Sequence, residues 1–90
     1  MANHKSAIKT YMRDEKRRMI NKMNRSKMRN RIKLLNRKLE AGELEEAKSL
    51  FPSVMSVIDK TVIKGTIHKK TGSRYKSRLT HRVRSAGVEI

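Results

Sequence analysis

Apolar residues in the first forty positions fall on two stripes that no single helix face can bury together. Ile8, Met12, Met19 and Met23 recur at helical spacing, and Met28, Ile32, Leu35 and Leu39 do so again. The step from Met23 to Met28 is five residues, not three or four. At 100° per residue, the stripes lie roughly 160° apart around a straight helix. Only the second half of such a helix can join a core. The first half is left to project.

Glycine and proline set the ends. Pro52 is the only proline, and the glycines are Gly42, Gly65, Gly72 and Gly87. Ala41-Gly42 reads as a helix C-cap and turn, Lys64-Gly65-Thr66 as a second break, and Gly87 as the end of the last helix. Three helices are expected, at about 4–41, 43–63 and 71–86. The fold class is all-α: a three-helix bundle with a long, projecting N-terminal helix, forming one domain over residues 1–90. Helix two carries Leu44, Ala47, Leu50, Phe51, Val54, Val57, Ile58 and Val62 on one stripe. Glu43, Glu45 and Glu46 open it, where the helix dipole favours carboxylates. Pro52 inside the stripe predicts a bend or a restart near Ser53. Helix three buries Tyr75, Leu79, Val83 and Ala86, with Thr71 as its N-cap. Helix one would span ~55 Å and helix two ~30 Å. Paired antiparallel, helix two reaches back to about residue 20.

The projecting half is strongly basic. Residues 1–38 hold 14 basic and 2 acidic residues, 39–59 hold 1 and 5, and 60–90 hold 9 and 1. The formal net charge is +16. Charge this dense opposes compaction unless a polyanion neutralises it. Solvated helix faces usually mix both signs, whereas the arm offers only Asp14 and Glu15 as acids. The cations expected to meet nucleic acid are Lys5, Lys9, Arg13, Lys16, Arg17, Arg18, Lys22, Arg25, Lys27 and Arg29. Asn21 and Asn24 interleave with them and can bond phosphate, ribose or base edges. The second basic block supplies Lys64, a loop of His68, Lys69 and Lys70, and then Arg74, Lys76, Ser77, Arg78 and Arg82. Arg74, Arg78 and Arg82 share a face beside the core stripe. A free chain of this kind is expected to have a frayed or disordered arm that orders on its partner.

Other function classes find little support. There is no cysteine, so disulfides, thiolate-bound zinc and thiol catalysis are excluded. The histidines are far apart, the glycines form no phosphate loop, and no serine has a His–Asp partner, so neither cofactor, metal nor catalytic site is expected. The opening MANHKSAIKT lacks a signal-peptide core, which points to the cytoplasm. A membrane-surface helix would set large apolar residues opposite its cations, and the arm has a sparse methionine stripe. A DNA-reading helix pair needs a turn of about 3–4 residues, and the expected connector is longer. Tyr11, Phe51 and Tyr75 are the only aromatics, so contacts should fall on phosphate, ribose and RNA shape rather than on stacked bases.

The stretch KGTIHKKTGSRYKSRL, Lys64 to Leu79, resembles the bacterial small-subunit ribosomal protein family numbered twenty, as do MANHKSAIKT, Glu15-Lys16-Arg17-Arg18 and AGELEEA. Lys64, Gly65, Ile67, His68, Lys69, Arg74, Lys76, Ser77, Arg78 and Leu79 match that family's pattern. Lys70 stands where it usually has Asn, and Gly72 where it usually has a small helix former. The resemblance implies a three-helix bundle that binds 16S rRNA directly. It implies a structural, non-enzymatic role in the small subunit and its assembly, in contact with other subunit components mainly through RNA. No membrane and no small-molecule substrate is implied.

Overall fold

A computed structural model describes the backbone of residues 2–90 and the side chains of residues 7–90. The described residues form three helices and no strand: α1 (Ala2–Glu40), α2 (Leu44–Ile63) and α3 (Lys69–Ser85). α2 packs against both α1 and α3. The molecule measures 64 × 22 × 15 Å, with a radius of gyration of 17.8 Å. A compact domain of this length would have about 12 Å. The excess is the arm.

All three helices end in the same way. At the end of α1, Gly42 N–H donates to Leu39 O and Glu43 N–H to Lys38 O. Gly65 with Thr66, and Gly87 with Val88, repeat this pair of bonds. It is the Schellman arrangement, and it needs a left-handed residue at its centre. Gly42 supplies φ 74° there without a side-chain clash.

The core consists of Met28, Leu35, Ala47, Val54, Ile58, Leu79, Val83 and Val88. Leu35, Val54, Ile58 and Val83 are fully buried, each stabilising by about 1.5–3 kcal/mol. Met28, Ile32, Leu35 and Leu39 all pack in the bundle. Ile8, Met12, Met19 and Met23 are exposed, at 48%, 65%, 66% and 65%. The phase break thus separates core from arm as the spacing predicts. α1 runs as one helix from Ala2 to Glu40. Residues 2–40 contain no glycine or proline, and Glu15 pairs with Arg18 at 3.3 Å across one turn.

Three local expectations change. α2 does not restart near Ser53 but continues through Pro52 as one helix. The ring sits on the exposed side, away from the core. α3 begins at Lys69, and its N-cap is His68 rather than Thr71: Nδ1 accepts from Lys70 N–H at 3.1 Å. Ala86 is exposed, and Val88 takes its place in the core by packing near Val83 across the last turn. Gly72 is buried, and a β-carbon there would collide with Val62 Cγ2. The helix former's methyl is missing because α2 and α3 cross too closely to admit it.

Lys38 clamps the α1–α2 turn, reaching Glu46 at 2.6 Å and Glu43 at 2.9 Å. The Glu46 hydrogen bond, with that of Glu43, raises the Lys38 ammonium above its ordinary 10.5. The Lys38 bond lowers the Glu46 carboxyl below its ordinary 4.5. A depressed acid stabilises above 4.5 and loses this as pH falls through its folded value. A raised base stabilises below 10.5 and loses this as pH rises through its folded value. Lys38→Met should therefore melt earlier than the parent between these limits, with the gap closing in stronger acid. Equal melting temperatures at pH 7 would show the clamp to be idle. The gap will be small, because exposed ion pairs contribute little.

Candidate nucleic-acid interface

The inward face of α1 continues past the end of the bundle and changes its chemistry there. Leu39, Leu35, Ile32 and Met28 lead back through Asn24 and Asn21 to Arg17 and Arg13 at steps of three and four. Asn21 and Asn24 are half-buried on this stripe, and Thr66 donates its hydroxyl to Asn21 Oδ1 at 3.2 Å. The carbonyl of Asn21 therefore ties α1 to the α2–α3 connector and is already engaged. Beyond it α2 has ended. Arg13, Lys16, Arg17, Ile20, Asn21, Asn24, Lys64 and Gly65 surround an open notch, which joins the two basic blocks of the sequence.

Lys9, Arg13, Lys16, Arg17, Arg18, Lys22, Arg25, Lys27 and Arg29 are all exposed along α1. Of these, only Arg18 makes an ion pair among the described residues. Lys5 lies outside the described side chains. In the second block Lys64, His68, Lys69, Lys70, Arg74, Ser77, Arg78 and Arg82 are exposed. Lys69 and Lys70 are not in a loop but in the first turn of α3, which has no acid to offset them. Cations at a helix N-terminus oppose the dipole by about 0.3–1 kcal/mol each, so they do not serve the helix. His68 spends Nδ1 on the cap and leaves Nε2 for another partner. Lys76 is the departure: it bonds Asp59 at 2.8 Å and ties α3 to α2. Ser77, Arg78, His81 and Arg82 line a shallow hollow on the outer side of α3.

Lys33 escaped the sequence reading. With Arg29 it lines a groove between α1 and α3 opposite Arg78 and Arg82. The signal was present, since Arg29 and Lys33 stand one residue after Met28 and Ile32, at the edge of a core stripe. No described helix is long and apolar enough to cross a membrane.

Comparison with known proteins gives the chain its family. The family model described as Ribosomal protein S20 matches residues 2–84. The chain belongs to the ribosomal protein S20 family. A relative in Koribacter versatilis, small ribosomal subunit protein bS20, is 41% identical over 85 residues, covering 94% of this chain and 96% of the relative. The bS20 of Desulfotalea psychrophila is 46% identical over 83 residues, covering 92% and 93%. That of Oceanobacillus iheyensis is 43% identical over 83 residues, covering 92% and 96%. An S20 chain is a small-subunit ribosomal protein and not an enzyme.

Proposed function

We propose that this S20 chain binds 16S rRNA directly and stabilises its fold during assembly of the small subunit. The notch at the foot of the arm carries the reading. Along one face of α1, the partner in the bundle is α2. Where α2 ends, that face turns to Arg13, Lys16 and Arg17, and Lys64 joins from the far end of α2. The partner that takes over from α2 must be anionic and must exclude water beside a stripe with an apolar member, Ile20. An RNA backbone and its ribose faces meet both needs. The arm and α3 present cations at separate places on a molecule 64 Å long, so one chain can hold several RNA segments in register. Its place is then the ribosome, in the cytoplasm. Contacts to other subunit components run mainly through RNA, and no membrane, cofactor or small-molecule substrate takes part.

The test is the salt dependence of binding to 16S rRNA. About ten phosphate contacts give a slope of log affinity against log salt near −7 to −9. A slope shallower than about −3, or equal affinity for competing duplex DNA, would overturn direct, structured RNA binding.

A further inference from the structure

α1 and α3 face each other across a groove of about 320 Å³. Its floor is apolar: Met28, Ile32 and Leu79. Its rim is cationic: Arg29 and Lys33 on one side, Arg78 and Arg82 on the other, none of them in an ion pair among the described residues. Tyr75, half-buried, is the one aromatic ring in it. Asn36 also lines the groove, and its Oδ1 is shut off from solvent without a hydrogen-bond donor. Buried acceptors are rarely left unpaired, and each one that is asks for an explanation.

These features select among occupants. The rim repels basic protein segments and attracts a polyanion. A bare phosphate gains nothing from an apolar floor. An unstacked nucleobase has a flat face for Tyr75 and the floor, N–H donors at its edge, and phosphates on either side for the rim. Asparagine accepts through its carbonyl and donates through its amide N–H, and adenine offers the matching donor–acceptor pair on two of its edges. The terminal torsion of asparagine is soft, so the amide can turn toward an incoming base. Resting on the RNA binding proposed above, we infer that this groove receives an unstacked adenine of the bound RNA, with Asn36 reading its N1–N6 edge and Tyr75 against its face.

The experiment is dimethyl sulfate probing of 16S rRNA saturated with the full chain, alongside hydroxyl-radical footprinting of the backbone. The parent protein should protect an unpaired adenine within the footprint. Asn36→Leu keeps the side-chain size and removes the unpaired oxygen, so it should fold. It should bind about tenfold more weakly with an unchanged salt slope, since no charge is lost. At saturation the backbone footprint should persist while that adenine becomes reactive again. If far-UV helicity shows Asn36→Leu misfolded, Tyr75→Leu is read in the same way. A persistent footprint with identical adenine reactivities for parent and variant overturns the groove assignment alone. No footprint with the parent protein overturns RNA binding, and the groove assignment with it.

Discussion

Gly72→Val is expected to lower the melting temperature of the free protein by roughly 12–24 °C, a loss of about 3 kcal/mol. A protein of this size has in total about 5–13 kcal/mol, so the loss is a large share. The cause is the crossing of α2 and α3. A β-carbon at Gly72 meets Val62 Cγ2, with Ile58 and Ile67 next nearest. Valine is stiff at χ1 in a helix and cannot swing aside cheaply. Helix propensity works the other way, but the gain over glycine is under about 1 kcal/mol, so the collision wins. Val62→Ala deletes the colliding methyl. The double variant should recover at least about 1 kcal/mol beyond the sum of the single effects. Thermal melts of the four proteins decide it. A Gly72→Val protein that melts within 3 °C of the parent, or a cycle without coupling, would mean that the helices separate freely and that Gly72 is incidental.

That glycine marks the boundary of what the linear sequence could tell. The helix ends were legible because Gly42, Gly65 and Gly87 each sit where a left-handed residue closes a helix. The arm was legible because the step from Met23 to Met28 is a matter of angle alone. Gly72 reads locally as a weak helix start, and its role depends on the distance to a different helix. The His68 cap is hidden for a related reason: histidine is outside the usual capping residues, so a threonine three positions later draws attention instead. Val88 lies beyond the last helix, and only the Schellman bonds fold it back towards Val83. The basic blocks were visible in composition, but the division of labour within them was not. Lys76 reads like its neighbours until Asp59 is placed beside it. Asn21 reads only as an RNA contact until Thr66, whose hydroxyl its carbonyl accepts, is placed beside it.

Replacing Arg13, Lys16 and Arg17 together by glutamine is expected to weaken 16S rRNA binding roughly a hundredfold. The estimate takes about 1 kcal/mol for each lost charge-assisted contact. Three fewer phosphate contacts should also flatten the salt slope by about 2–3 units. Stability should not fall. All three side chains are exposed and make no ion pair among the described residues, and removing like charge relieves self-repulsion. Lys48→Gln is the matched control. It removes an exposed cation from the acidic stretch of α2, away from the notch, and should leave both affinity and slope close to the parent's. The comparison separates two accounts of a basic protein. If charge acted only as a diffuse field, the triple variant would lose about three times what Lys48→Gln loses. If the notch at Asn21 is where RNA takes over from α2, the loss will be far larger than that, and α1 will remain as helical as before. An effect in simple proportion to charge would sink the notch and leave only a cationic surface.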